Sequence, residues 1–224
     1  MGSILLVRHG QGALMGDGAA LAPLGWEQSR LLGVELAARG ITPDLVVHGD
    51  HPVQCDTAAA VAEAAGWTCV PEVDAGWDDV DLPDVLARVP MPSGEDTVPR
   101  AELDEWLADA TSRWTAGRAE EEYAESFRVF ADRVDAALSR AARRVSGGTA
   151  VVVTSGAPIA LVAASLLHRE PEPATLTSLG ATWRALNAVV ITTSVTKVVL
   201  GRRGATLVVF NEHGHLEGRP DSRG

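Results

Sequence analysis

Apolar residues fall along this chain in two alternating rhythms. Uninterrupted runs such as Ile4-Leu5-Leu6-Val7, Leu45-Val46-Val47 and Ala150-Val151-Val152-Val153 have the length and composition of strands buried on both faces. Between them the apolar positions recur every three or four residues. The stretch following Leu21-Ala22-Pro23-Leu24-Gly25 carries Leu31, Leu32 and Leu36 at helical spacing and stops at Arg39-Gly40. Pro52 to Ala65 is rich in alanine, opens with proline in its first turn and ends at Gly66, which predicts a second helix. A long amphipathic helix is predicted from Glu122 to Arg144, with Phe127, Phe130, Val134 and Leu138 on one face. Its basic end (Arg140, Arg143, Arg144) complements the helix dipole, and Ser146-Gly147-Gly148 stops it. Pro158 to His168 reads as another helix. Trp67 to Val70, Ala188 to Ser194, Val195 to Leu200 and Ala205 to Phe210 read as short strands, the last two joined by a Gly201-Arg202-Arg203-Gly204 turn.

Strands alternating with helices predict the α/β class, here a three-layer α/β/α sandwich with a mostly parallel sheet. Residues from about Pro83 to Glu125 break the rhythm. They hold the loop Met91-Pro92-Ser93-Gly94 and helical stretches carrying Trp106 and Trp114, and they read as a cap-like excursion from the sheet. Nothing repeats internally, so residues 1–218 are expected to form one domain and 219–224 a disordered tail.

Composition narrows the partners. Nineteen Lys and Arg against thirty Asp and Glu give a formal net charge of −11, which disfavours nucleic acid and anionic membranes. No apolar run approaches the roughly 18 residues needed to cross a bilayer. The start of the chain has no signal-peptide layout, and two cysteines, Cys55 and Cys69, argue against a disulfide framework. The expected location is therefore the cytoplasm. An anionic small-molecule substrate must be captured by a local positive site against the overall field.

Such a site is offered by Arg8-His9-Gly10 at the end of the first strand. There an imidazole nucleophile and a guanidinium would share the carboxyl edge of the sheet, where α/β proteins gather their sites. Other local patterns carry less. Gly10-Gln11-Gly12 with Gly16 imitates a dinucleotide loop, but its spacing is Gly-x-Gly-x-x-x-Gly and no helix opens at once. Glu212-His213-Gly214-His215 has no second ligand cluster to suggest a metal. Ser155 lacks a Gly-x-Ser-x-Gly elbow and reads as a helix N-cap. From Glu95 to Glu125 ten acidic residues face three arginines. That segment is either a solvated helix face or a cover over the site, with Trp77, Trp106 and Trp114 lining an apolar pocket.

Taken in order, Leu6-Val7-Arg8-His9-Gly10-Gln11, Leu21-x-x-x-Gly25-x-x-Gln28, Asp50 with Thr57-Ala58, Glu72-x-x-x-Gly76-Trp77, Glu125-Ser126-Phe127, Val152-Val153-Thr154-Ser155-Gly156-x-Pro158-Ile159, Asn187 and Asn211-x-x-x-His215-Leu216 resemble the histidine phosphatase superfamily. The resemblance runs over roughly residues 4 to 217. It implies a phosphoglycerate mutase-like fold and hydrolysis of a small organic phosphomonoester through a phosphohistidine on His9. It makes Arg8 a phosphate clamp and Glu72 the acid, with no metal or organic cofactor. The longer Glu-Arg-His-Tyr-Gly segment of the mutase branch has no counterpart here.

Two residues that the resemblance calls for are replaced. Val53 stands where a second arginine is expected and Ser155 where a second histidine is expected. Each lost transition-state donor costs roughly 10²–10³ in rate, so turnover should be weakened. The hydroxyl of Ser155, the amides of Gly156 and Ala157, and the side chains of His48, His51, Gln11, Gln54 or His215 are candidates to fill the gap. Two rival outcomes stay open: a ligand-binding protein without turnover, and an enzyme using His9 and Glu72 for acid/base chemistry on a non-phosphorylated substrate.

Overall fold

The computed structural model describes residues 2–13, 20–92, 98–145, 147–168 and 175–217. Six strands form one sheet in the order β3-β2-β4-β1-β5-β6. β1 (Gly2–Arg8), β2 (Leu45–His48), β3 (Glu72–Val73) and β4 (Thr149–Thr154) are parallel. β5 (Val195–Gly201) runs antiparallel to β1, and β6 (Gly204–Glu212) antiparallel to β5.

Strand alternation divides the core in two. Leu5, Val7, Val46, Val151 and Val153 point to one face, where Leu32 and Leu36 of helix α1 (Pro23–Ala38) and Ala58 and Val61 of α2 (Pro52–Ala65) cover them. Ile4, Leu6, Val47 and Val152 point to the other, beneath α5 (Phe127–Arg144) and α6 (Gly156–Leu167). Both faces are covered, which is why the central strands are apolar throughout and the architecture is an α/β/α sandwich with a mostly parallel sheet. Gly40 and Gly66, both at φ +68°, supply the left-handed turns that end α1 and α2.

The excursion holds α3 (Leu82–Leu86) and α4 (Arg100–Thr115), and α4 packs on α7 (Leu176–Asn187). Trp114 of α4, Trp183 of α7 and Phe127 and Phe130 of α5 form one aromatic cluster, with ring centroids 5.0–6.4 Å apart. This seam anchors the excursion to the body of the fold by edge-to-face and tilted contacts.

Several boundaries differ from the sequence-based expectation. The third strand lies at Glu72–Val73 rather than Trp67 to Val70, whose place is irregular backbone. α5 begins at Phe127, because Ser126 caps it by accepting from the Val129 amide, and Glu120–Glu122 forms a separate 3₁₀ turn. Ala188 to Ser194 is a loop following α7, not a strand. α6 begins at Gly156, two residues before the expected Pro158. Gly16, Ser93, Gly94, Glu95, Asp96, Ser146 and the tail 219–224 lie outside the described residues.

Candidate active site

β1 delivers Arg8 and His9 to the carboxyl edge of the sheet, and three separated segments fix the loop that follows. The His9 amide donates to Thr154 O at 2.8 Å. The Gly10 amide donates to Thr57 Oγ1 at 3.0 Å, and that hydroxyl donates to Val53 O. The Gln11 amide donates to Gln28 Oε1 at 2.9 Å. Gly10 and Gly25 meet backbone to backbone: a Cβ on Gly10 would lie 2.5 Å from Gly25 O, and one on Gly25 would collide with the Gln11 backbone. The Gly25-x-x-Gln28 and Thr57 landmarks are thus supports for the His9 loop.

The His9 ring is oriented by Nδ1, which lies 2.7 Å from Gly10 O. A carbonyl can only accept, so Nδ1 carries the proton and Nε2 of the neutral ring keeps its lone pair. Burial pulls the His9 pKa below its usual value. The Gly10 carbonyl raises it, Arg8 lowers it, Asp79 raises it and His51 lowers it.

Arg8 is held just as firmly. One Nη donates to Val190 O, its amide donates to Ser194 O at 3.2 Å, and its carbonyl accepts from Thr193 at 2.9 Å. Thr193 sits at φ 56°, an unusual conformation for a β-branched residue, and it binds His215 Nε2 at 2.9 Å through its hydroxyl. His215 therefore supports the loop behind Arg8, and burial drops its pKa to about 4. Arg8 Nε is buried and unpartnered among the described residues, near Gly156. Burial lowers the Arg8 pKa and Asp79 opposes this.

Arg8, His9, Asp79, Gly156, Ala157 and Asn187 line a cavity of about 630 Å³ that extends between α4 and α7. The first amides of α6, those of Gly156 and Ala157, have no intrahelical acceptor and open beside Arg8. The walls are largely apolar, with Val80, Leu82, Leu107 and Trp183 among them. A second cavity of about 330 Å³ touches the other side of Arg8 and His9 and includes Gln11.

The expected site residues separate into two groups. Arg8, His9 and Gly156 line one cavity, and Gln11 meets Arg8 and His9 in the second. His51, exposed at the start of α2, is near enough for its charge to act on His9 but lines neither cavity. Ser155 occupies the N-cap position of α6, but its hydroxyl is buried and accepts from Gln54 Nε2 at 2.9 Å instead of capping the helix. His48 is buried, with Nδ1 turned to Gly49 O at 2.7 Å.

Glu72 is not brought to the site. It is exposed on β3 at the sheet edge, with both oxygens bound by Arg144 at 2.7 and 2.8 Å. That guanidinium lowers the Glu72 pKa, the opposite of what a proton donor needs. Among the described residues two carboxylates line the cavity: Asp104 of α4, and Asp79, seven residues after Glu72 in the loop that follows the 3₁₀ turn Ala75–Trp77 and in the same cavity as Arg8 and His9. Trp77 and Trp114 are core residues, and Trp106 donates to Val89 O at 3.0 Å; Trp183 lines the cavity in their place. The acidic pair Asp78-Asp79 directly after Gly76-Trp77 was the available signal. Nothing local distinguished Asp79 from Glu72. Asn187 belonged to the ordered landmarks without an assigned role, and Arg184 gave no signal at all.

A family model described as histidine phosphatase superfamily (branch 1) matches residues 4–213. None of the curated protein sequences matches the chain. Among solved structures, phosphoserine phosphatase from Entamoeba histolytica in complex with phosphoserine superposes with a TM-score of 0.67 at 17% identity, covering 96% of this chain and 100% of that one. Phosphoglycerate mutase from Bacillus anthracis gives 0.65 at 18%, covering 95% and 94%. A mycobacterial glucosyl-3-phosphoglycerate phosphatase gives 0.63 at 23%, covering 94% and 99%. The fold is that of the phosphoglycerate mutase-like proteins, and with the family model spanning nearly the whole chain, this protein belongs to the histidine phosphatase superfamily.

Proposed function

We propose that the protein hydrolyses a small organic phosphomonoester, with His9 as nucleophile and Asp79, in place of Glu72, as proton donor. The observation that carries this is the His9 ring itself: Nδ1 is committed to Gly10 O, and the ring lines a cavity shared with Asp79 and the unpartnered Arg8 Nε. His9 Nε2 attacks phosphorus as the bond to the leaving oxygen breaks, and the Asp79 carboxyl protonates that oxygen. Water then attacks the phosphohistidine, giving its proton to the Asp79 carboxylate. The N–P bond breaks and phosphate departs. Arg8 and the Gly156 amide face the charge that develops on the phosphoryl oxygens, while Gln11 borders Arg8 and His9 from the second cavity.

Two expected donors remain absent. Val53 is buried, the Ser155 hydroxyl is engaged by Gln54, and neither residue lines the cavity, so these two positions supply no cation to the phosphoryl group and turnover is weakened. The same observation favours a second reading, a protein that binds a small phosphorylated ligand without releasing phosphate. Acid/base chemistry pairing His9 with Glu72 loses its acid, since Glu72 is bound to Arg144 at the sheet edge.

Among the described residues no helix is long and apolar enough to cross a membrane. The free cysteines Cys55 and Cys69 fit a reducing compartment, and we place the reaction in the cytoplasm. The test is phosphate release from p-nitrophenyl phosphate and from an alkyl phosphate. His9→Ala abolishes both. Asp79→Asn lowers turnover by about 10²–10⁴, more for the alkyl ester, whose leaving group depends on protonation. Release that survives His9→Ala refutes the mechanism. No release from the wild type, with inorganic phosphate still bound, supports the second reading.

A further inference from the structure

The cavity holds a second cation that the phosphoryl chemistry does not use. α4 and α7 touch where Gly180 faces Thr115: a Cβ on Gly180 would lie 2.5 Å from the Thr115 Cβ. Beyond that contact the two helices present facing stripes to the cavity, Asp104, Leu107, Ala108 and Thr111 from α4, and Trp183, Arg184, Asn187 and Ala188 from α7. Asn187 Oδ1 lies near Gly156, at the phosphoryl end. Arg184 is one helical turn back, about 4.5 Å along the axis. Its guanidinium donates to Thr115 Oγ1, a neutral acceptor, and among the described residues it forms no ion pair.

We infer that Arg184 is a specificity residue which receives a second anionic group, a carboxylate, on the organic part of the substrate. This rests on the proposed placement of the phosphoryl group at Arg8 and His9. A substrate seated there extends between the two stripes, where Val80, Leu107 and Trp183 enclose its carbon skeleton. Arg184 is the cation within reach of that skeleton. Asp104 marks the other limit. It lines the same cavity from the first turns of α4, largely exposed and 3.9 Å from Arg100, and its charge opposes an anion placed farther out. The inferred ligand is therefore compact: a phosphomonoester with a carboxylate a few bonds from the ester oxygen and an otherwise apolar frame. Arginine suits this role because its planar fork matches a carboxylate, and the Thr115 hydroxyl holds one edge of it in place.

The test compares phenyl phosphate with 3-carboxyphenyl phosphate, which differ by the carboxylate alone. Wild-type kcat/KM is expected to favour the carboxylated probe. Arg184→Ala should cut that preference about 10- to 100-fold, the worth of a charge-assisted hydrogen bond. Arg184→Lys should keep part of it. Arg184→Gln keeps a donor for Thr115 without the charge, so it must lose the preference while retaining the packing. Equilibrium binding of both probes to His9→Ala protein, with and without each Arg184 change, reads the same preference when no turnover occurs. Failure of hydrolysis is thereby separated from failure of this inference. Equal affinity of the His9→Ala protein for both probes overturns it, as does an equal loss on both in Arg184→Gln.

Discussion

Arg133 and Glu125 form a bidentate pair, Nε to Oε1 at 2.7 Å and Nη2 to Oε2 at 2.8 Å, that sits against the backbone presenting Asp79. The remaining donors of Arg133 reach Gly76 O at 3.2 Å, Asp78 O at 3.0 Å and Asp79 O at 3.4 Å. One guanidinium from α5 therefore gathers carbonyls on both sides of Trp77 in this loop, and Glu125 fixes the angle of the fork. Arg133 is a positioning residue for the proposed proton donor. Replacing it with methionine should lower kcat by roughly 10- to 100-fold with a smaller change in KM, because misplacing a catalytic group by about 1 Å has that effect. Glu125→Gln should follow in the same direction. Both side chains are only 24% and 21% exposed, so each change also costs about 1–3 kcal/mol of stability. Steady-state kinetics beside thermal unfolding checks this: a purely structural pair would move the unfolding temperature and leave the turnover of the folded fraction intact.

Titration of His9 offers a second prediction with a definite sign. Burial lowers its pKa in the folded protein below the ordinary value near 6.5, so the ring stays neutral and nucleophilic at pH 7. Protonation removes the lone pair only as pH falls through that lowered value, so the acid limb of kcat/KM should lie below pH 6.5. The neighbours shift it in opposite directions. Asp79→Asn removes a charge that raises the His9 pKa, and its midpoint should fall further. His51→Ala removes one that lowers it, and the midpoint should rise. NMR titration of the ring measures both shifts without requiring turnover, and shifts of the same sign in the two variants would contradict the arrangement.

These relationships show why parts of the molecule were legible in the chain and others were not. β1 and β4 announce themselves because burial on both faces demands unbroken apolar runs, and Arg8-His9 follows β1 directly in sequence. α7 was hidden because Thr177, Ser178, Gly180 and Thr182 dilute its apolar stripe, and Gly180 is there to let Thr115 approach. Val189-Val190-Ile191 looks like a strand, yet its carbonyls and amides serve the Arg8 wall and Asn211, which donates to Val189 O and accepts from the Ile191 amide. The placement of Glu72 and of the Asp79 loop involves two arginines of the same helix, Arg144 and Arg133, some 54 to 72 residues away. One binds its carboxylate at the sheet edge where β3 places it, and the other fastens the loop that carries Asp79. Spacing within a local motif holds no information about either.

Gly25 tests whether the His9 loop is a support or a coincidence of packing. It lies in the first turn of α1, buried, with no room for a side chain against the Gln11 backbone. Gly25→Ala should force the His9-Gly10-Gln11 segment away from α1 and weaken the Gln11 amide bond to Gln28 Oε1. Backbone cannot yield as a side-chain end can, so a destabilisation of about 1–3 kcal/mol is expected. A loss of turnover well beyond the folded fraction should accompany it, because the Nδ1 bond to Gly10 O orients the ring. Gly66→Ala, where a Cβ meets nothing within 4 Å, is the control. Its left-handed φ costs stability but leaves His9 alone, so the folded enzyme should keep its rate.

Placing an arginine at Val53 and a histidine at Ser155 tests the proposal that their absence weakens phosphoryl transfer. Val53→Arg with Ser155→His tests whether cations at two buried positions, an apolar side chain and a hydroxyl committed to Gln54, can serve the phosphoryl group. Each donor is worth about 10²–10³ in rate, though groups acting together do not add, so the pair should gain at least about 10²-fold on p-nitrophenyl phosphate. The gain has a structural counterweight. Among the described residues Gln54 Oε1 is already buried without a partner, and removing the Ser155 hydroxyl strands Nε2 as well, a penalty of about 1–3 kcal/mol. Activity should therefore rise as the unfolding temperature falls. Ser155→His alone should lose stability with little gain, since one restored group without the arginine leaves the phosphoryl charge half met. A double variant that folds, binds inorganic phosphate more tightly and still releases none from the ester would place the deficit in the proton donor, and Asp79→Glu would then be the change that raises the rate.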